Sequence, residues 1–205
     1  MKKKAIIISL KGKTLSKKEK ILLSKENPWG VILFKRNIYS FKQTQRLIHQ
    51  IKKYSKSKHF PILIDEEGST VSRLTDIFNH HLNANYFGKV FEKDKKSAIF
   101  IYKNYLKSLC NLLKIIGINI NTIPVLDVLR KNTSKIIGSR SFSHNKEIVK
   151  ILGDITVREC QKNKIISVIK HIPGHGCATQ DSHIFLPKVN LSEKNLNLID
   201  FYPFK

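Results

Sequence analysis

The sequence predicts an α/β fold, built either as an open doubly wound sheet or as part of a (β/α)8 barrel. Short apolar runs rich in β-branched residues alternate along the chain with longer amphipathic stretches. The short runs are hydrophobic throughout, which is typical of parallel strands covered by helices on both faces. The chain has 205 residues, and a complete barrel typically needs about 250. The length therefore argues against a full barrel.

Five strands and four helices can be assigned in order along the chain. Apolar runs of strand length predict strands at residues 5–10, 30–34, 61–65, 118–127 and 165–170. Hydrophobic residues at helical spacing predict helices at residues 16–25, 40–54, 91–116 and 145–161. Ser16 is the predicted N-cap of the first helix, because Glu19 follows it at the spacing of a capping box. No repeat or linker interrupts the pattern, so residues 1–205 are predicted to form one domain.

The formal net charge of +23 is extreme, but only six of the 38 basic residues are arginine. Bidentate recognition of phosphates and base edges favours the guanidinium group. The lysines are spread over the whole length, together with many isoleucines and asparagines. We interpret the charge mainly as a lysine-rich composition. Nucleic-acid binding is kept as the less favoured alternative.

The cysteines and the N-terminus indicate a soluble protein in a reducing compartment. Cys110, Cys160 and Cys177 are odd in number and show no CxxC spacing, which predicts neither a disulfide framework nor a structural zinc site. The apolar run that follows the N-terminal lysines is only six residues long. Such a run is too short for a secretory signal or for a membrane span. We expect a cytoplasmic location and no membrane contact.

Charged residues follow three consecutive predicted strands at the point where each strand ends. Asp65 ends the third strand, Asp127 ends the fourth, and Lys170 with His171 ends the fifth. In α/β folds the carboxyl ends of parallel strands converge on the ligand. A shared pocket is one explanation of this pattern. The alternative is that the charges only mark where the strands leave the core.

The loop at residues 170–183 is the densest group of titratable residues in the chain. It reads KHIPGHG at 170–176 and DSH at 181–183, which brings three imidazoles, one ammonium and one carboxylate into fourteen residues. From spacing alone, Asp181 and His183 could be either an acid/base pair or a surface capping pair. A metal site at Lys170, His171 and His175 is less favoured, because no second set of ligands has a standard spacing.

These motifs resemble those of family 3 glycoside hydrolases, in the bacterial β-N-acetylglucosaminidase branch. The loop resembles the signature KH(F/I)PGHG…DSH, and residues 30–37 (GVILFKRN) resemble GxILFxRN. Residues 64–74 (IDEEGSTVSRL) are similar to (V/I)DQEGGRVxRx. The segments 124–127 (PVLD) and 137–142 (IGSRSF) resemble PVLDV…IGxRSF. The similarity runs from about residue 5 to the C-terminus.

The resemblance implies a (β/α)8 TIM barrel, of which this chain would hold the first five to six units. It also implies hydrolysis of terminal β-linked N-acetylglucosamine in peptidoglycan fragments, with retention of configuration and with no cofactor or metal. His183 would be the general acid/base and Asp181 the carboxylate behind it. An imidazole can give and take a proton near neutral pH, and a carboxylate can orient it. The implied substrate-binding residues are Asp65, Arg73, Arg140, Lys170 and His171.

Two departures from the family pattern affect what we expect of activity. The family's Gly-Gly-Arg is Gly68-Ser69-Thr70 here, and no motif resembling the family's nucleophile segment SDDL is present. A retaining glycosidase needs a second catalytic group across the anomeric carbon. We therefore expect an amino-terminal fragment that is impaired alone or active with a separately encoded C-terminal piece. A non-catalytic carbohydrate-binding remnant is the alternative.

Overall fold

The structure is a computed structural model that describes residues 2–181 and 184–205. In these residues five parallel strands form one sheet in the order β1-β2-β3-β4-β5. The strands are β1 Lys4–Ser9, β2 Pro28–Leu33, β3 Ile62–Ile64, β4 Ile120–Asn121 and β5 Ile166–Ser167. The helices are α1 Lys17–Lys25, α2 Phe41–Tyr54, α3 Ala84–Lys93, α4 Lys95–Ile116, α5 Lys146–Lys162 and α6 Glu193–Leu198. The predicted α/β class with a parallel sheet is confirmed.

Burial differs between the middle and the edges of the sheet. Val31 and Leu33 of β2 and all three residues of β3 are buried. Along β1, by contrast, only Ile8 is even partly buried, and Ile7 is 45% exposed. The prediction of burial on both faces is therefore wrong for β1 and also for β5, where Ile166 is 60% exposed. These two strands lie at the ends of the sheet, where fewer neighbours cover them.

The fourth strand is much shorter than the predicted range 118–127. Pro124 has no amide hydrogen and cannot donate to a neighbouring strand, so the regular ladder stops before it. Pairing continues irregularly, because the Leu126 amide donates to the Lys170 carbonyl at 2.7 Å and the Lys170 amide donates to the Pro124 carbonyl at 3.2 Å. This pairing brings Asp127 beside His171, at the carboxyl end of the sheet.

The helix predicted at residues 91–116 is two helices in the structure. Asp94 separates α3 from α4 and accepts hydrogen bonds from the Lys96 and Ser97 amides at 2.9 and 3.1 Å. An N-cap residue has non-helical backbone angles, so the periodic apolar pattern could not show this break. Ser16 does cap α1, and its capping box with Glu19 is confirmed.

The core lies between the sheet and the helices, and α4 and α5 contribute the most buried side chains to it. Leu106 and Leu113 of α4 pack with Val149 and Leu152 of α5, and all four are fully buried. Tyr102 of α4 shares a 2.7 Å hydrogen bond with the buried Thr156 of α5. Within the described part of the chain, no helix combines the length and the apolar character that crossing a bilayer requires.

Candidate active site

A cleft of about 610 Å³ lies at the carboxyl ends of β3, β4 and β5. The sheet is parallel, so the segments that follow these strands leave it at the same edge. The structure brings the five predicted substrate-binding residues together around this cleft. They are Asp65, Arg73, Arg140, Lys170 and His171. The convergence expected from the charged strand ends is therefore present, and the roles of these residues stay predictions.

Asp65 is a carboxylate held by one hydroxyl and two cations. The Thr122 hydroxyl donates to Oδ1 at 2.5 Å, and the Arg73 guanidinium donates to Oδ2 at 3.3 Å. The Lys170 ammonium is 3.6 Å from Oδ1. Burial on its own would raise the pKa of Asp65, but the Thr122 hydrogen bond and the charges of Lys170 and Arg73 together lower it. Asp65 therefore stays an anionic acceptor in the cleft.

Glu67 is a second carboxylate of the cleft, with a side chain that is 5% exposed, and no role was predicted for it from the sequence. Arg140 binds it in bidentate fashion, with Nε 2.7 Å from Oε2 and Nη2 2.9 Å from Oε1. The Lys170 ammonium lies 2.5 Å from Glu67 Oε1. Burial disfavours the Arg140 cation, but the nearby carboxylates, Glu67 first, raise its pKa. Glu67 thus fixes the positions of two predicted sugar-binding cations.

Two further N–H groups of Arg140 are also engaged. Nη1 donates to the Ile136 carbonyl at 2.9 Å, and Nη2 lies 3.3 Å from His171 Nε2. Because a guanidinium only donates, His171 Nε2 accepts and Nδ1 carries the proton. That Nδ1–H group donates to Asp127 Oδ2 at 2.7 Å. Arg140 and Asp127 together set the tautomer and the orientation of the His171 ring.

Asp127 is buried and holds two segments of the loop after β5. In addition to the His171 ring, it accepts the His175 amide at 2.7 Å through Oδ1. The next residue, Gly176, lies so close to Val128 that a Cβ atom would be 2.0 Å from the Val128 carbonyl oxygen. Only glycine allows this approach. The Gly176 position therefore lets the loop after β5 pack directly against the backbone of Val128.

Thr70 stands where the family segment has an arginine. It lines the cleft, and its hydroxyl is 2.8 Å from the Ser139 hydroxyl. This contact joins the loop after β3 to the turn Gly138–Arg140. The arginine expected at this point is thus replaced by a short polar bridge, which leaves Arg73 and Arg140 as the guanidinium groups of the cleft.

The predicted acid/base pair is only partly within the described residues. Asp181 is described and is partly buried, whereas Ser182 and His183 lie outside the described residues. The assignment of His183 as general acid/base and of Asp181 as its partner therefore stays a prediction. Across residues 2–181 and 184–205, no group of three or more histidine, cysteine or acidic side chains has an arrangement suited to a metal ion.

Comparisons of the chain with a family model and with known proteins agree on one family. Residues 3–205 match the family described as "Glycosyl hydrolase family 3 N terminal domain". A β-hexosaminidase of Neisseria gonorrhoeae is 33% identical over 192 residues, which is 93% of this chain and 53% of that protein. One from Chromobacterium violaceum is 29% identical over 199 residues, which is 97% of this chain and 55% of that protein.

Solved structures agree with the sequence relatives. Native NagZ from Neisseria gonorrhoeae superposes with a TM-score of 0.90 at 31% identity, over 97% of this chain and 58% of that one. A family 3 β-N-acetylglucosaminidase from Paenibacillus gives a TM-score of 0.87 at 27% identity, over 97% of this chain and 37% of that one. The chain spans about half the length of the curated relatives it matches. It belongs to glycosyl hydrolase family 3, and its sheet and helices are part of that family's barrel-like N-terminal domain.

Proposed function

We propose that this chain forms the sugar-binding part of an enzyme that hydrolyses terminal β-linked N-acetylglucosamine, in the turnover of peptidoglycan fragments. The observation that carries the proposal is the Asp65 carboxylate, kept ionised in a cleft by Thr122, Lys170 and Arg73. A carboxylate in this state accepts a pair of sugar hydroxyls. The names of the relatives, β-hexosaminidases, support the choice of an amino sugar.

The two cations beside Asp65 have complementary roles in this proposal. Lys170 has three donors, of which the contacts with Glu67 and Thr122 use two, and the third can bind a sugar oxygen. Arg73 can donate to the sugar while it keeps its contact with Asp65. His171, whose ring is fixed by Asp127, would contact the N-acetyl arm or a ring hydroxyl.

The chemical step in this proposal uses His183 and Asp181. His183 would protonate the leaving oxygen and later take a proton from water, and Asp181 would orient the ring. The reaction also needs a carboxylate on the opposite side of the anomeric carbon. Asp65, Glu67 and Asp127 are each paired with basic groups in the described residues, so they are poorly suited to attack a carbon.

We therefore infer that the nucleophile comes from further polypeptide that packs against this chain, such as a separately encoded C-terminal piece. The exposed edge strands support this inference. Ile6 and Ile7 of β1 and Ile166 of β5 leave apolar side chains exposed at the two ends of the sheet. Strand edges of this kind are usually covered in native proteins. We further propose a cytoplasmic location, on the basis of the sparse cysteines.

A carbohydrate-binding protein without catalysis is the second candidate. It is favoured by the pairing of Glu67 with both Arg140 and Lys170, which leaves the cleft rich in hydrogen bonds but without a free carboxylate among the described residues. Such a site can hold a sugar without any chemistry. The two candidates share the binding step and differ only in turnover.

Two measurements on the purified 205-residue chain test these proposals. Calorimetry with N-acetylglucosamine should give saturable binding that 0.5 M NaCl does not abolish, since the ligand is neutral. A chromogenic β-N-acetylglucosaminide should be hydrolysed slowly or not at all. No sugar binding would contradict both candidates, and rapid hydrolysis would contradict the need for a second polypeptide. Strong binding of oligonucleotides that falls steeply with salt would favour the nucleic-acid alternative.

A further inference from the structure

Three consecutive acidic residues follow β3, and the middle one faces away from the cleft. Asp65 and Glu67 both line the cleft. Glu66 lies between them in sequence but is not among the residues that line the cleft. It is completely buried. A buried carboxylate is costly unless it is well hydrogen-bonded, so its partners indicate what it does.

Glu66 holds the loop that carries Arg73. Its Oε2 atom accepts the backbone amides of Arg73 at 2.8 Å and of Leu74 at 3.1 Å. Its own backbone is fixed from both sides by Asn121 of β4, which accepts the Glu66 amide at 3.0 Å and donates to the Glu66 carbonyl at 2.9 Å. The carboxylate thus ties residues 73 and 74 to the centre of the sheet.

His80 is the partner of the other carboxylate oxygen. Its Nε2 atom lies 3.3 Å from Glu66 Oε1, and the two side chains are 6% and 1% exposed. In the described part of the chain it is the one basic side chain within ion-pair distance of Glu66. The His80 ring stacks on Phe78 at 5.3 Å and tilts against Tyr105 at 5.7 Å between ring centroids.

We propose that Glu66 and His80 form a buried clamp that positions Arg73 on Asp65, so that His80 is a positioning residue for the sugar cleft. The clamp holds the loop of residues 66–74 in place through the backbone amides of Arg73 and Leu74. Neither Glu66 nor His80 would contact the sugar. A glutamine at position 66 would offer an amide oxygen in place of the carboxylate. An amide could also accept the two backbone hydrogens, whereas a carboxylate needs the N–H donor of His80. The effect on sugar binding rests on the proposed function.

Hydrogen exchange of the loop tests the clamp without any ligand. In Glu66→Ala and in His80→Phe, the amides of Arg73 and Leu74 should exchange about tenfold to a hundredfold faster than in the native chain. His80→Phe keeps an aromatic ring against Phe78 and Tyr105 but removes the donor. His80→Gln and Glu66→Gln keep a hydrogen-bonding amide and should exchange at close to the native rate.

Thr156→Val is the control for a general loss of stability. It removes a buried hydrogen bond between α4 and α5, far along the chain from the loop. It should leave the relative protection of residues 66–74 unchanged. Native exchange rates for the Arg73 and Leu74 amides in His80→Phe would contradict the proposed clamp. Exchange in the two glutamine variants as fast as in Glu66→Ala and His80→Phe would also contradict it.

Calorimetry with N-acetylglucosamine then tests whether the clamp affects sugar binding in the cleft. His80→Phe should weaken sugar binding by about tenfold, and His80→Gln should restore it. Native-strength sugar binding in His80→Phe would overturn the positioning role. If the native chain binds no sugar at all, the proposed function fails, while the exchange data still decide whether the clamp exists.

Discussion

At the residue scale, the cleft is built from charges that compensate one another. Lys170 contacts both Asp65 and Glu67, and Arg140 binds Glu67. Each pair is largely shielded from water, so loss of one member leaves its partner without compensation. Substitutions in the cleft should therefore affect binding through the partner as well as through the missing contact.

Asp65→Asn should weaken binding of N-acetylglucosamine by about tenfold to a hundredfold, because hydrogen bonds to a charged acceptor are stronger than those to an amide. Calorimetry measures the change directly. Asp154→Asn is the matched control, since Asp154 forms an exposed pair with Arg158 on α5. Equal affinities of Asp65→Asn and the native chain for N-acetylglucosamine would show that Asp65 does not bind the sugar.

The lowered pKa of Asp65 predicts a specific pH dependence of stability. Its ordinary value is 3.8, and the folded value lies below this. The ionised carboxylate therefore stabilises the fold fully above the unfolded pKa, and this contribution is lost as the pH falls through the folded pKa. Denaturant unfolding should show the native chain more stable than Asp65→Asn at pH 7, with the gap narrowing below about pH 4. A stability difference between the two proteins that stays constant as the pH falls below about 4 would contradict a lowered pKa of Asp65.

At the element scale, the helix boundaries follow local capping chemistry. The Ser16 hydroxyl accepts the Glu19 amide at 3.3 Å, and the Glu19 carboxylate accepts the Ser16 amide at 2.7 Å. This reciprocal pair could be predicted because the two residues lie only three positions apart in the sequence. The Asp94 cap was missed because the apolar periodicity of α3 and α4 continues through it without a visible change.

Ser16→Ala should lower the free energy of unfolding by about 1 kcal/mol, because the first turn of α1 loses its acceptor. Urea denaturation followed by circular dichroism measures the change. Ser24→Ala in the same helix is the control, since its hydroxyl is exposed and donates only to the Ile21 carbonyl. It should change stability by less than about 0.5 kcal/mol. Equal effects of the two substitutions would contradict the capping role.

The sequence predicted which residues meet at the cleft better than it predicted how they pair. Asp65, Lys170 and His171 were identified because each follows a strand, and parallel strands end together. Glu67 and Thr122 were missed, since their roles depend on distances between strands that no local pattern encodes. The exposure of β1 was missed for the same reason: its apolar sequence does not reveal what covers it.

At the scale of the whole molecule, the two ends of the sheet have the most exposed strands. Both β1 and β5 carry exposed isoleucines, whereas β2 to β4 are largely buried. Exposed apolar strand edges favour association with other chains. The high positive charge opposes such association by repulsion, so it should depend on ionic strength. We expect a broad, weakly cooperative thermal transition for the isolated chain.

Ile7→Lys should raise the protein concentration at which aggregation begins, because a charge on the edge strand β1 disfavours intermolecular pairing. Light scattering at increasing concentration in 0.3 M NaCl measures the onset. Ile101→Lys is the matched control, since Ile101 lies on α4 and is exposed to a similar extent, 40% against 45% for Ile7. An equal improvement from both substitutions would show that charge alone, and not the strand edge, is responsible.

The contact of Asp65 with Thr122 and Lys170 joins segments that are far apart in the chain, since about a hundred residues separate the first from the last. These atoms meet only when three strands have docked in register, so a partly folded chain lacks the proposed sugar site. A ligand that binds the native state alone raises the melting temperature in proportion to the logarithm of its concentration once the site is saturated. Thermal shift with N-acetylglucosamine should therefore show this increase, and an unchanged melting temperature at high sugar concentration would contradict the proposed site.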